Sequence, residues 1–157
     1  MLILLSFLVG CASNTLGTDA ATQIDTIRNL AENHVDSVSS MSEISDIAAL
    51  EATYDSEWTV VMSDMSGQMD DMMSCMGMDG DGMGSDTDTT WMTDMSEHLV
   101  DMDAEHDDHG DHMAFCADIG ECLDEENEHL DAVTAHLDAM NTGLDSWDAD
   151  MKCPDEQ

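Results

Sequence analysis

The chain has almost no basic residues. Two of its 157 residues are Lys or Arg (Arg28 and Lys152), against 37 Asp and Glu, and the formal net charge is -35 with histidine neutral. Such a balance excludes nucleic acid and anionic membrane surfaces as direct electrostatic partners, because like charges repel. It also leaves ordinary salt bridges nearly unavailable, since two bases cannot pair 37 carboxylates. Proline is as scarce: Pro154 is the only one, so nothing in the body of the chain interrupts long helices. Between Met62 and His98 there is no Leu, Ile, Val or Phe, so any core in that stretch must be built from methionine and Trp91. There is no Gly-rich phosphate loop, no nucleophile elbow and no zinc-protease motif, and the serines lack an identifiable triad.

A charge of this size can indicate disorder. Against that, 42% of the residues are hydrophobic and 16 are methionine. Length suggests one domain with one core. The partners that suit the composition are cations: metal ions, salt, or a basic protein.

Residues 1–10 (Met-Leu-Ile-Leu-Leu-Ser-Phe-Leu-Val-Gly) are apolar but too short to span a bilayer. They read as a secretory signal peptide. Leu8-Val9-Gly10-Cys11 resembles the lipobox of bacterial lipoproteins. In that family the cysteine is diacylated and becomes the mature N-terminus. The resemblance implies a lipid anchor on Cys11, a short tether over residues 11–18, and a cell-envelope location with the domain facing the periplasm or the surface. Ala12, rather than Asp, resembles an outer-membrane signal.

Export would leave four other cysteines, Cys75, Cys116, Cys122 and Cys153, in an oxidising compartment. An even number there suggests two disulfides.

The apolar period is helical. Ile24, Ile27, Ala31, His34 and Val38 recur at steps of three and four, which predicts a helix over 19–39. Ser40-Met-Ser-Glu43 fits a capping box. From Ile44 through Ile47, Glu51, Tyr54, Trp58, Val61, Met65, Met69 and Met72 to Met76 the period continues, predicting a helix over 41–76. Residues 77–88 form a Gly- and Asp-rich acidic loop. Asp79-Gly-Asp81-Gly-Met-Gly84 is similar to an EF-hand loop at three positions, but Met83 and Thr90 stand where ligands should be. A third seam runs from Met92 to Cys116, predicting a helix over 89–117, with Gly110 as a weak spot. After a tight turn at Asp118-Ile-Gly120, a fourth seam from Ile119 to Met151 predicts a helix over 119–152. The bundle thus spans 19–153, with a tail at 154–157. Four long helices and no strand pattern predict an all-α, up-down-up-down four-helix bundle.

In an antiparallel hairpin, facing residues have a constant index sum. Cys116 with Cys122, Trp91 with Trp147, and His109 with His129 share one sum. The first pair is expected to staple the turn between helices three and four. Cys75 and Cys153 end helices two and four at the same end of the bundle, so a second disulfide is expected there.

The seams carry polar residues where apolar ones belong: His34, Glu51, His106, His109 and Glu126, with His129 three residues farther on. Such residues are unfavourable in a core unless paired or bound. Counted from the turns near 40 and 119, His34, Glu51, His109 and His129 fall within five residues of one level, about 8 Å. Glu126-x-x-His129 resembles the Glu-x-x-His element of ferritin-like di-metal bundles, in which side chains at this spacing reach one ion or two neighbouring ions. A second such element is missing. His34, Glu51, His106, His109, Glu126 and His129 are therefore the candidate ligands of a transition metal, with Glu105 and His112 at its flank. The alternative is structural His–Glu pairing, with acidic surroundings favouring imidazolium.

His98, Met102, His136 and Met140 share another level. Thioethers with imidazoles suit Cu(I), although Met at helical spacing is more often core filler. Copper is therefore the favoured ion, with zinc or iron as alternatives, for sequestration, delivery or sensing. A metal-free acidic lipoprotein and a di-metal oxidase are the rival readings.

Overall fold

The computed structural model of the chain describes residues 13–75 and 90–150, with side chains over 16–74 and 90–145. Four α-helices fill those ranges: α1 (Ser13–Ser39), α2 (Ile47–Cys75), α3 (Thr90–Met113) and α4 (Ile119–Asp150). Among the described residues there is no strand, and no helix is long and apolar enough to cross a membrane. The signal peptide and Cys11, the acidic loop with its EF-hand-like segment, and the tail lie outside the described residues.

Most seam residues in the described ranges are buried, but α2 begins at Ile47 instead of 41, and Ile44, the first residue of its seam, is exposed. Ile24 and Ile27 of α1, Trp58, Met65 and Met72 of α2, Met92, Met95 and Met102 of α3, and Leu137 and Met140 of α4 are all fully buried in one cluster. The core of the leucine-free stretch is built from methionine, whose flexible thioether fills irregular space. Burying a side chain such as Leu137 stabilises by about 1.5–3 kcal/mol. On the outer faces, short polar side chains bond their own helix. The hydroxyls of Thr22, Thr26, Thr53 and Thr142 donate to carbonyls four residues earlier. Arg28 of α1 reaches Asp138 of α4 at 2.7 Å, a surface pair of small energetic worth.

A smaller cluster fixes the direction of every helix. It joins Val38 at the end of α1, Ile47 at the start of α2, Met113 at the end of α3 and Cys122 at the start of α4. Starts and ends alternate at one pole, so the bundle is up-down-up-down. Between the two clusters each helix passes through a polar level: His34 in α1, Glu51 in α2, His106 and His109 in α3, Glu126 and His129 in α4.

Local details differ from the sequence reading. α1 begins at Ser13, so most of the expected tether is helical. The capping box at Ser40–Glu43 does not form. Glu43 precedes a single 3₁₀ turn (Ile44–Asp46) without a side-chain cap, and Ser40 instead closes α1 by donating to the Ser37 carbonyl. A reciprocal cap appears at α4: Asp118 Oδ1 accepts the Glu121 N–H at 3.0 Å, while Glu121 Oε2 accepts the Ala117 N–H at 2.7 Å. α3 runs through Gly110 to Met113.

The disulfide between Cys116 and Cys122 is corrected. The bundle brings the two side chains into contact, but both are free thiols. Cys116 Sγ faces Met113 Sδ at 3.8 Å and the His112 carbonyl at 3.9 Å instead of bonding its neighbour. Burial and the neighbouring Cys122 thiol push the Cys116 thiol up to about 12. The expected pair Cys75–Cys153 lies outside the described side chains.

Candidate metal centre

Four of the six predicted ligands converge, one from each helix. His34 Nε2 lies 2.9 Å from Glu51 Oε1 and 2.9 Å from Glu126 Oε1. His109 Nε2 lies 3.3 Å from Glu126 Oε1 and 3.5 Å from Glu51 Oε2. One donor atom from each of these residues falls within 4.8 Å of all the others. A tetrahedral ion with bonds of about 2.0–2.1 Å needs donor separations of about 3.3–3.4 Å. The four His–Glu contacts, at 2.9–3.5 Å and reaching Glu51 through both of its oxygens, lie around that value.

Hydrogen bonding leaves part of this cluster unsatisfied. The His34 ring nitrogen is aligned with Glu51 Oε1, and a single N–H cannot also point at Glu126. Glu126 Oε1 and His109 Nε2 are consequently buried without a hydrogen bond. Buried polar atoms without a hydrogen bond are costly, and both belong to the four-residue group. The fit to an ion is therefore one of donor type, spacing and unmet bonding capacity together.

Charge gives the same picture. Burial would lower His34 and His109, but the carboxylates of Glu126 and Glu51 outweigh it. They hold His34 above its ordinary value and His109 at about 9. Burial would raise the two carboxyls, but the histidines outweigh it, taking Glu51 down to about 2 and Glu126 also downward. Two imidazolium ions neutralise two carboxylates. One divalent ion with two neutral imidazoles does the same.

No protein-family model, curated protein or solved structure matches this chain, so the centre rests on its own geometry.

His106 and His129, also predicted as ligands, stand beside the four-residue group. His106 stacks on Trp58 with ring centroids 4.5 Å apart, and its Nε2 lies 3.5 Å from Asp55 Oδ1. His129 stacks on His109 at 4.3 Å and shares a 3.2 Å hydrogen bond with the Tyr54 hydroxyl. Burial, followed by the positive charge of His109, pushes both histidines down, His129 to about 3. Both are therefore neutral rings that pack against the charged pair.

Tyr54 is the residue that the sequence reading left unassigned. Its ring lies flat against His34, with centroids 3.8 Å apart and planes 9° apart. Its hydroxyl holds His129, which in turn stacks under His109. One side chain thus orients both imidazoles of the centre. Burial raises the phenol well above its ordinary value, so it stays a neutral hydrogen-bonding group. The sequence signal was a hydroxyl-bearing aromatic one turn after Glu51 in an otherwise apolar seam.

His112 and Glu105 do not join the centre. Glu105 is exposed, and His112 pairs with Glu125 at 3.0 Å on the surface. Of the softer level, Met102 and Met140 are fully buried in the apolar cluster, whereas His98 and His136 are half-buried and in contact with each other. A groove of about 600 Å³ between α2 and α3, the most loosely packed adjacent pair, reaches His106 past Asp55, Asp103 and Asp107.

Proposed function

We propose that the chain binds one divalent transition-metal ion at the buried polar level, through His34, Glu51, His109 and Glu126. The observation that carries this reading is the pair of buried atoms without a hydrogen bond, His109 Nε2 and Glu126 Oε1, within a group of four donors that all lie within 4.8 Å of one another. Two imidazoles and two carboxylates form a borderline donor set, suited to Cu2+, Zn2+ or Fe2+. Copper(II) heads the affinity order for such donors, and zinc best matches a closed four-donor shell. Copper(I) would find no sulfur among the four donors. A shell filled by protein leaves no position for substrate or O2, which favours holding, delivery or sensing of the ion over oxidase chemistry. The acid-lined groove between α2 and α3 would draw cations as far as His106, beside the centre.

The rival reading is a metal-free bundle that neutralises the same level with protons. It is favoured by the raised His34 and His109, which balance the carboxylates without an ion. In either reading we place the chain at the cell envelope, lipid-anchored through Cys11, on the strength of the Leu8–Cys11 segment. Its acidic surface would suit a basic protein partner, not nucleic acid.

Elemental analysis of the purified, dialysed chain separates these readings, together with thermal melts in Cu2+, Zn2+ and Fe2+ against a background of excess Mg2+. The metal-binding reading expects stoichiometric retention and a rise in melting temperature. Trace metal and unmoved melts with all three ions would leave the proton-neutralised bundle.

A further inference from the structure

A second histidine cluster lies farther along the same two helices, α3 and α4. His98 and His136 face each other with their Nδ1 atoms 3.0 Å apart. The two rings meet edge to face, with centroids at 5.2 Å. Asp101, three residues after His98 and hence on the same face of α3, brings a carboxylate oxygen within 4.8 Å of both imidazoles. His98 and His136 are half-buried and Asp101 is exposed, so this group opens to solvent. Eleven residues of helix separate His98 from His109, roughly 16 Å. The two clusters therefore cannot share an ion.

We propose that His98, Asp101 and His136 form a second, solvent-open site for a divalent transition-metal ion. Three features carry the assignment. First, two imidazole nitrogens of the same kind face each other at 3.0 Å. Without an ion, one ring must donate and the other accept, so the contact holds a single proton between two lone pairs. Second, a separation of 3.0 Å matches two nitrogens at right angles around an ion with bonds of about 2.0–2.1 Å, which is about 2.9 Å. Third, the donors are two histidines and one carboxylate, a facial set that leaves coordination positions to water.

The surroundings supply access and charge. A groove of about 450 Å³ runs beside His98, lined by Trp91, Asp94, Met95, Ala139 and Gly143. Asp94 sits one turn before His98 on α3, adding a carboxylate to the approach. Gly143 keeps the groove close to the helix pair. A Cβ there would meet the Met95 side chain at 3.1 Å, so Gly143 lets Met95 pack tightly against α4.

This donor set differs from the His/Met site expected from the sequence. Met102 and Met140 belong to the apolar core, and the exposed Asp101 completes the group in their place. The change is from a soft to a borderline site, one that takes Zn2+, Cu2+ or Ni2+. With three protein donors and open positions it exchanges its ion quickly, whereas the closed centre of His34, Glu51, His109 and Glu126 exchanges slowly. The assignment does not rest on that buried centre.

Ni2+ and Zn2+ titrations of the purified chain by calorimetry, in excess Mg2+ to occupy the surface carboxylates, test it. Four proteins are compared: wild type, His98→Ala with His136→Ala, His109→Ala with Glu126→Gln, and Asp101→Asn. The expected result is a rapidly exchanging equivalent that is lost in the first variant and kept in the second. Asp101→Asn, at an exposed position that should not disturb folding, should weaken that equivalent about tenfold. If the first variant and Asp101→Asn both titrate as wild type does, the proposal is overturned. A single equivalent that disappears only with His109 and Glu126 would also overturn it, while supporting the buried centre. A single equivalent that disappears only with His98 and His136 would support it and reject the buried centre.

Discussion

His109 Nε2 and Glu126 Oε1 stand 3.3 Å apart in the core as an ion pair, outside ideal hydrogen-bond geometry. They come from adjacent antiparallel helices and are oppositely charged in the metal-free state, because Glu126 and Glu51 hold His109 at about 9. An ion between them would satisfy both.

That arrangement predicts a proton count. At neutral pH an entering divalent ion must displace the proton on His109, held at about 9, and whatever proton the raised His34 carries, so uptake should release between one and two protons per ion. Calorimetry of Zn2+ binding in buffers of different ionisation enthalpy measures this number, and apparent affinity should climb as pH rises toward 9. Uptake without proton release would place the ion elsewhere.

Glu126→Gln keeps the shape and removes the charge. It leaves a buried imidazolium without its nearest carboxylate, a loss worth about 3–5 kcal/mol for a buried pair. The metal-free protein should therefore melt well below wild type by circular dichroism. It should also bind metal at least tenfold more weakly, as one of its four donors is lost.

The metal-free protein should lose stability on the alkaline side. His109 has a folded value of about 9, above its ordinary 6.5. Its contribution is complete below about pH 6.5 and disappears as pH rises through 9. Carboxyl groups titrate below this window, so histidine dominates it. Melting temperature in the presence of chelator should fall between pH 6.5 and 9, and bound Zn2+ should flatten or reverse that fall.

Tyr54→Phe separates orientation from coordination. It leaves His129 Nε2 buried without its hydrogen-bond partner, at a cost of about 1–3 kcal/mol in a urea melt. The ring that stacks on His34 is retained. Metal affinity should change only a few-fold. A loss as large as that of Glu126→Gln would make Tyr54 a ligand.

Surface charge predicts a salt response. With 37 acids and two bases, self-repulsion opposes the compact state, and screening should relieve it. Melting temperature should rise with NaCl concentration. A flat response would mean that the acids are already neutralised by bound cations or protons.

Periodicity made the helices and the polar level legible, because each helix repeats its apolar step on both sides of one or two polar residues. Counting from the turns placed His34, Glu51, His109 and His129 at a common height, and the structure joins the first three with Glu126 instead of His129. Height does not specify where a side chain points, so His106 and His129 were indistinguishable from ligands although they stack on Trp58 and His109 instead. Tyr54 was hidden because an aromatic in a seam reads as core. Asp101 was hidden because an exposed carboxylate among so many carries no pattern. The index sum brought Cys116 and Cys122 together correctly, but proximity does not form a bond, and both remain thiols.

Because α1, α2, α3 and α4 each supply one donor, no single helix carries more than a quarter of the buried centre. An ion held there ties together helices that are joined only at their ends. Its escape requires a whole helix to swing away, so the lifetime of the bound ion measures how firmly the bundle is closed. Anything that loosens one helix, including protease cleavage in a connection, would release the metal along with the fold.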